Sequence, residues 1–252
     1  MVRRDMFRFL CVTAHPDDEV GGFGGSLRLY ASRGVEVSVI CLTSGTAASN
    51  RGGAASDAEL AAMRRKEFAT ACEMLKVSHG EVWDFPDGAL DRVNFYEAVG
   101  RLTRRVRELK PHVMLTLGME GAVTAHPDHS MAAVFATMAF HWAGRTNRFL
   151  EHAADALAPH RTQKLYYATA NFTLPDRQPV AMPPTTTIID IGDCLEVKIA
   201  AFRAHTSQNP LLPRFEQAMR DRAWQERFHL AASAEFREID RIETDLLDGV
   251  VE

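Results

Sequence analysis

The chain has 252 residues, of which 46% are apolar and 25% charged, and its formal net charge is -4 at pH 7. These proportions are ordinary for a soluble globular protein, and the slightly acidic balance gives no reason to expect a nucleic-acid partner. No apolar run reaches the roughly 20 residues that a membrane-spanning helix needs, so no membrane span is predicted.

The cysteines and the N-terminus indicate a compartment. Four cysteines lie far apart and form no Cys-x-x-Cys pair: Cys11, Cys41, Cys72 and Cys194. A disulfide framework is therefore not expected, and a reducing cytoplasm is the predicted location. Arg3 and Arg4 near the start are not followed by a long apolar segment, so no signal peptide is predicted.

Strand-like apolar runs alternate with helical segments through the first 145 residues. In chain order the predicted elements are a strand at 7–14, a helix at 19–33, a strand at 35–43, a helix at 57–76, a strand at 81–85, a helix at 92–109, a strand at 112–117 and a helix at 128–142. Strands that alternate with helices predict an α/β fold with a parallel sheet covered on both faces.

The alternation changes after about residue 146. Strands are predicted at 164–170 and 185–191, joined by a proline-rich stretch at 175–184, and helices at 194–205 and 214–230. Because no Gly/Ser linker divides the chain, residues 1–252 are predicted to form a single domain, with a core of about 7–145 and a β/α extension of about 146–252.

Two clusters of histidine and aspartate follow predicted strands. His15-Pro16-Asp17-Asp18-Glu19 comes after the first strand, and His126-Pro127-Asp128-His129 comes after the strand at 112–117. Acidic groups at a strand end are costly unless they face water, a cation or a reacting group. Because ligands bind outside the carboxyl ends of parallel strands, both clusters are expected at one crevice with Asp87 and a Gly/Ala/Ser-rich, mobile loop at 44–56.

The residue types in these clusters suit a metal. A catalytic zinc ion takes three protein ligands from histidine and carboxylate and keeps one position for water. Pro16 keeps His15 extended, and the dipole of the following helix favours ionised Asp17 and Asp18. Two neutral imidazoles and one carboxylate leave the site a net positive charge, which acidifies a bound water. The pattern therefore predicts metal-assisted hydrolysis.

Together the two clusters resemble the PIG-L/LmbE-like zinc-dependent N-deacetylases. The resemblance continues through Arg64-Arg65-Lys66-Glu67, Pro86-Asp87-Gly88 and Lys198…His205-Thr206-Ser207-Gln208, and covers about residues 7–210 in consistent order. It implies a Rossmann-like fold, which agrees with the alternation of strands and helices. It also implies a hydrolase that uses Zn²⁺, or another divalent metal, to remove an acetyl group from an N-acetylated amine on an N-acetylglucosamine-type sugar conjugate.

The resemblance implies roles for individual residues. The expected metal ligands are His15, Asp18 and His129. Asp17 matches the general base, and His126 matches the group that stabilises the oxyanion or protonates the leaving amine. Asp128 is expected to orient His126 or His129. Family members often form trimers or hexamers, so a homo-oligomer is an expectation as well.

Substrate contacts follow less directly. The candidate substrate-binding residues are Arg64, Asp87 and His205. Family members often carry Gly-Glu after the second strand, where this chain has Thr-Ser-Gly-Thr at 43–46, so a substrate-binding acid is absent or comes from Asp57 or Glu59. The substrate stays open among N-acetylglucosaminyl-malate, an inositol glycoside, a chitin-type disaccharide and a non-sugar amide.

Two of these residues also have purely structural explanations, and two alternative functions are considered for the protein. Arg64 can pair with Glu59 or Glu67 on its own helix, and Asp87 is a common turn residue. A dinucleotide-binding oxidoreductase would use the glycines at 21–25, but position 27 is leucine and breaks the G-x-G-x-x-G spacing. A non-catalytic sugar-binding member of the fold is the second alternative, and the intact Asp17 argues against it.

Overall fold

The computed structural model describes residues 7–174, 180–222, 224–236 and 238–252. Its strands are Arg8–Thr13 (β1), Glu36–Thr43 (β2), His79–Phe85 (β3), Val113–Thr116 (β4), Lys164–Thr169 (β5), Thr187–Asp190 (β6) and Gln225–Ser233 (β7). They form one sheet in the order β3-β2-β1-β4-β5-β7-β6. The predicted α/β fold with a mostly parallel sheet is confirmed.

Within the described residues the helices are Asp18–Ser32 (α1), Asp57–Met74 (α2), Phe95–Leu109 (α3), Pro127–Ala143 (α4), Leu195–Ala204 (α5) and Leu212–Arg222 (α6). α3 packs against α4, whereas α1 and α2 both pack against α5. Side-chain oxygens of Ser56 and Asn94 cap α2 and α3 by accepting backbone N–H groups of the first turn. None of these helices is both long and apolar enough to cross a lipid bilayer.

The position of β1 determines where a ligand can bind. β1 pairs in parallel with both β2 and β4, and β1 and β4 are almost entirely buried apolar runs, as central parallel strands are. The chain builds β2 and β3 on one side of β1 and then returns to build β4 and β5 on the other. The order of strands therefore reverses between β1 and β4, and the carboxyl ends of these two strands form the crevice where open α/β sheets bind ligands.

The extension differs from its prediction. The predicted helix at 214–230 is wrong beyond residue 222, because α6 ends there and Gln225–Ser233 forms β7, antiparallel to both β5 and β6. Burial alternates along β7, with Glu226, Phe228 and Leu230 buried. This period of two is typical of a strand. The charged helix formers of α6 run directly into it, so the change of period has no turn signal before it.

The remaining predicted elements agree with the structure to within a few residues at their ends. α3 begins at Phe95 rather than at 92, because a short 3₁₀ turn at Leu90–Arg92 precedes it. The strand predicted at 185–191 is shorter, Thr187–Asp190. Part of the predicted proline-rich stretch, residues 175–179, lies outside the described residues. All four cysteines are free and buried.

Candidate metal centre

The turn between β1 and α1 brings His15 and Asp18 together. The backbone N–H of His15 donates to Oδ2 of Asp18 over 2.8 Å, and the backbone N–H of Asp18 donates to the His15 carbonyl over 3.2 Å. Nδ1 of His15 lies 3.4 Å from the same Asp18 oxygen. The side chains are only 12% and 11% exposed. The turn therefore holds an imidazole and a carboxylate side by side in a nearly closed environment.

The turn between β4 and α4 supplies a second imidazole at the same place. Nε2 of His129 lies 3.2 Å from Oδ1 of Asp18. On the other side of the ring, Nδ1 lies 3.2 Å from the carbonyl oxygen of Gly121 and 3.2 Å from Oγ1 of Thr124. A proton on Nδ1 is donated to the carbonyl, which leaves the lone pair of Nε2 directed at Asp18. This is the arrangement in which a histidine binds a metal.

The spacing of these donors fits one small divalent ion. The Asp18 carboxylate lies between Nδ1 of His15 and Nε2 of His129, at 3.4 and 3.2 Å. Two donors held tetrahedrally at 2.0–2.1 Å from an ion are about 3.3 Å apart. His126 is also near, since ligand atoms of His15, His126 and His129 lie within 4.8 Å of one another. The predicted ligands are thus brought together.

A second group can also hold a metal in principle, and it shares His15. Ligand atoms of His15, Asp87 and Asp128 lie within 4.8 Å of one another. Here His15 uses the opposite ring nitrogen, with Nε2 3.0 Å from Asp87 and 3.3 Å from Asp128. Both carboxylates already accept backbone N–H groups, Asp128 from Gly88 and Leu90 and Asp87 from Ala47. We therefore assign these two carboxylates to support of the His15 ring.

This support changes two predicted roles. Asp128 was expected to orient His126 or His129, but its carboxylate contacts the His15 ring instead, because α4 directs it towards β1. Asp87 was expected to contact substrate, and its side chain is 5% exposed with its two oxygens on His15 and on the Ala47 N–H. Burial by itself lowers the pKa of His15, but the hydrogen bonds to Asp128, Asp18 and Asp87 raise it well above its usual value.

Asp17 has an unusual backbone. It lies between His15 and the first turn of α1 with φ 111° and ψ -27°, in the left-handed half of conformational space that residues other than glycine rarely adopt. Burial raises the pKa of its carboxyl group to about 6, against the opposing effect of the Arg64 charge. Strained backbone and a carboxyl pKa near neutrality are both features of catalytic bases.

Arg64 of α2 is buried and directed at Asp17. Its Nη2 donates to Oδ2 of Asp17 over 3.1 Å and also to the carbonyl oxygen of Pro16, while Nη1 donates to the Gly45 carbonyl over 2.7 Å. It makes no pair with Glu67 on its own helix, because that carboxylate accepts hydrogen bonds from Ser207 and its neighbour. Arg64 was predicted to contact substrate, and the structure places it against the Asp17 carboxylate.

Within the described residues, one ring nitrogen of His126 has no hydrogen-bond partner. As the N-cap residue of α4, it accepts the backbone N–H of Asp128 at Nδ1 over 3.2 Å. Its ring centroid lies 4.8 Å from that of His15 and 5.1 Å from that of His129. Burial, followed by the charges of those two rings, lowers the pKa of His126. Nε2 is therefore available to a bound substrate.

His205 does not face the crevice. It is fully buried, and its Nε2 lies 2.7 Å from Oε1 of Glu19, which is also fully buried. The surrounding protein therefore closes His205 off from the predicted contact with substrate. Glu19 was not singled out by the sequence, although it follows Asp17 and Asp18 directly. Only the adjoining acidic run could have drawn attention to it.

The loop at 44–56 borders the centre and is hydrogen-bonded to its surroundings. The Ala47 N–H donates to Oδ2 of Asp87 over 2.6 Å, and the Gly45 carbonyl accepts Arg64. The loop therefore contacts the residues that support His15 and Asp17.

The glycines at 21–25 have a packing role. All of them lie inside α1, whereas a dinucleotide fingerprint places its glycines in a loop before the helix. A Cβ atom at Gly25 would lie 2.3 Å from Cδ1 of Ile191. The absence of side chains here lets α1 approach its neighbours closely. Nothing in this geometry supports the oxidoreductase alternative.

The sequence of this chain is similar to those of known deacetylases. Residues 10–140 match the family model PIG-L: GlcNAc-PI de-N-acetylase. Diacetylchitobiose deacetylase of Thermococcus kodakarensis is 30% identical over 207 residues, which are 82% of this chain and 72% of that protein. A 1D-myo-inositol 2-acetamido-2-deoxy-alpha-D-glucopyranoside deacetylase of Saccharopolyspora erythraea is 31% identical over 238 residues, covering 80% of this chain and 77% of that protein.

A solved structure is similar over most of its length. N,N'-diacetylchitobiose deacetylase from Pyrococcus horikoshii, in complex with an inhibitor, superposes with a TM-score of 0.73 at 25% sequence identity. The match covers 88% of this chain and 83% of that one, so it includes the extension as well as the core. The family model, the sequence relatives and the common fold lead to one conclusion: this chain belongs to the PIG-L family of de-N-acetylases.

Proposed function

We propose that this chain is a zinc-dependent N-deacetylase that removes the acetyl group from an N-acetylglucosamine-type sugar conjugate. The observation that carries the proposal is the Asp18 carboxylate held between Nδ1 of His15 and Nε2 of His129, with Asp17 beside it. The names of the relatives support the substrate class, because they are deacetylases of acetylated amino sugars.

His15, Asp18 and His129 would hold the metal. Each imidazole has its second nitrogen engaged by a carboxylate or a carbonyl, so the orientation of its ring is set before any ion arrives. When bound, a divalent ion supplies a Lewis acid that acidifies water and polarises the acetamide carbonyl. Two neutral imidazoles and a single carboxylate leave the positive charge that this chemistry needs.

Asp17 would transfer the proton of the attacking water, and His126 would stabilise the negative charge that develops on the carbonyl oxygen. Asp17 accepts the proton of the attacking water as the new carbon–oxygen bond forms, with Arg64 holding its carboxylate in place. Because Nδ1 of His126 accepts the Asp128 N–H, the neutral ring carries its proton on Nε2 and can donate it in a hydrogen bond to the oxyanion. As the carbon–nitrogen bond breaks, Asp17 passes the proton that it took from water to the leaving nitrogen, which restores its carboxylate. The products are acetate and a free amine.

The alternative of a non-catalytic sugar-binding protein lacks support from the site. A binding protein needs ligands for its metal and its sugar, but it has no use for a carboxylate held on a strained backbone beside the metal ligands. The φ of 111° at Asp17 and its contact with the buried Arg64 therefore favour the enzyme.

The test is acetate release from a panel of N-acetylated amino sugars, including diacetylchitobiose and N-acetylglucosaminyl-inositol, with zinc and with a chelator. We expect release from at least one sugar, its loss on chelation and its return with zinc. Release that chelation leaves unchanged would overturn the metal mechanism. A zinc-loaded protein that binds a sugar of the panel without releasing acetate would favour the binding-protein alternative.

A further inference from the structure

Two buried acidic side chains join α1 to the region of α5. Glu19 lies in the first turn of α1 and contacts His205, which follows α5, at 2.7 Å. Glu226 of β7 contacts Lys198 of α5 at 2.6 Å. All four side chains are at most 4% exposed. Because a buried carboxylate is costly without a cationic or hydrogen-bonding partner, each pair must be satisfied within the protein.

The two carboxylates hold different parts of the same helix. Glu226 accepts the N–H groups of Gly25 and Ser26 over 2.8 Å each, inside α1. Glu19 accepts the N–H of Asp17 at Oε2 over 2.9 Å, just before α1 begins. One pair therefore supports the body of the helix, and the other supports the residue proposed as the base.

The peptide unit between Pro16 and Asp17 is held from both sides. Its carbonyl oxygen, which belongs to Pro16, accepts a hydrogen bond from Arg64. Its N–H, which belongs to Asp17, donates to Glu19. Because both polar groups of this peptide are bonded to buried side chains, its plane cannot rotate freely. The orientation of that plane sets φ of Asp17, which is the strained angle of 111°.

A strained conformation at a residue other than glycine persists only where the surroundings hold it. Arg64 acts on the carboxylate of Asp17 as well as on the peptide, whereas Glu19 contacts only the backbone N–H. His205 contacts Glu19 and does not reach the crevice. The position of the Glu19 carboxylate therefore depends on His205, and the position of the Asp17 backbone depends on Glu19.

We infer that Glu19 and His205 are positioning residues that hold the Asp17 backbone in its left-handed conformation and so place the catalytic carboxylate. The inference rests on the proposed function, since it takes Asp17 as the base. His205 is thus assigned a place behind the site, connected to the chemistry through two hydrogen bonds rather than through the substrate.

The test compares Glu19→Ala with Glu226→Ala in the full-length, zinc-loaded protein. For Glu19→Ala we expect kcat for an N-acetylated sugar that wild type deacetylates to fall about 10- to 100-fold, with KM and bound zinc nearly unchanged. The reason is that a misplaced base slows the chemical step. Glu226→Ala should lower the melting temperature at least as much as Glu19→Ala does. It should leave kcat within about threefold of wild type, because Glu226 lies away from the base.

Isosteric variants separate a positioning effect on kcat from a general loss of stability. Glu19→Gln keeps an oxygen that can accept the Asp17 N–H, so we expect it to recover most of the kcat that Glu19→Ala loses. Glu226→Gln is its matched control. Equal losses of kcat in the Glu19 and Glu226 variants at equal melting temperature would overturn the inference, because they would show a general effect of stability.

A crystal structure separates this inference from the proposed function. In Glu19→Ala we expect φ of Asp17 to leave the left-handed region, whether or not the protein deacetylates any sugar. Retention of φ near 111° in that variant would overturn the positioning role even if the enzyme is active. Suppose that zinc-loaded wild type deacetylates no sugar, and that Glu19→Ala still loses the φ of Asp17 near 111°. This pair of results would overturn the proposed function and leave the positioning role standing.

Discussion

The two His-Pro-Asp turns of the centre begin with the same three residue types and use them in different ways. After β1, Asp17 has a left-handed backbone, and burial raises the pKa of its carboxyl group to about 6. After β4, Asp128 lies in the first turn of α4. Burial also opposes ionisation there, but hydrogen bonds from His15, Leu90 and Gly88 lower its pKa.

The difference shows that backbone geometry, not residue type, separates the two aspartates. Asp128 uses its oxygens to accept hydrogen bonds from backbone N–H groups and from the ring of His15, so it is fixed. Within the described residues, the Asp17 carboxylate has a single side-chain partner, Arg64. The fourth positions of the two turns, Asp18 and His129, nevertheless meet 3.2 Å apart. Two similar turns therefore place their aspartates in different surroundings at a common centre.

The comparison is tested most directly at Asp17. Asp17→Asn removes the proton acceptor but keeps the shape of the side chain, so we expect kcat to fall by about 10²- to 10⁴-fold with bound zinc retained. Steady-state kinetics and metal analysis of the purified variant measure both quantities. Rates near those of wild type would remove Asp17 as the base.

His129→Ala tests the shared fourth position. Loss of this ligand leaves the Asp18 carboxylate with one imidazole, so we expect zinc affinity to fall by more than the roughly 10- to 100-fold that is typical of a residue outside the ligand set. Competition with a chromophoric chelator measures the affinity. If His129→Ala binds zinc as tightly as wild type, the ligand set proposed for the centre is wrong.

Asp128→Asn sharpens the contrast with Asp17→Asn. An amide can still accept the Gly88 and Leu90 N–H groups, but it carries no charge to hold the His15 ring. We expect a fall of about 10- to 100-fold in zinc affinity, as is usual when a metal-binding histidine loses its carboxylate. A loss of kcat alone, with zinc affinity unchanged, would make Asp128 resemble Asp17 and would contradict the comparison.

The smallest effect is expected from Arg64→Lys. A lysine keeps the positive charge but cannot donate to Asp17, Pro16 and Gly45 at once, because it lacks the forked guanidinium. We expect kcat to fall about tenfold with zinc affinity unchanged, since a modest displacement of the base slows the chemical step. Kinetics on the sugar that wild type deacetylates would show this. A changed KM with unchanged kcat would instead support the predicted role of Arg64 in substrate binding.

The extension shows where prediction from the sequence fails. The elements of the core are confirmed because their apolar runs and helical periodicities are long and are separated by recognisable caps. β7 was missed because its alternating pattern follows α6 without a turn signal, and five of its nine positions carry charged or polar residues. Glu226 in particular is a poor indicator of a buried strand, since its burial depends on Lys198.

The sequence by itself determined that His15, Asp17, Asp18 and His129 lie at the carboxyl ends of strands, because strand ends and helix starts are encoded in neighbouring residues. The tertiary structure alone decided which nitrogen of His15 faces Asp18, that Asp128 supports His15, and that Glu19 meets a histidine 186 residues away. Such contacts depend on the order of strands and on the packing of α1 against α5. No local pattern of residues records either of these.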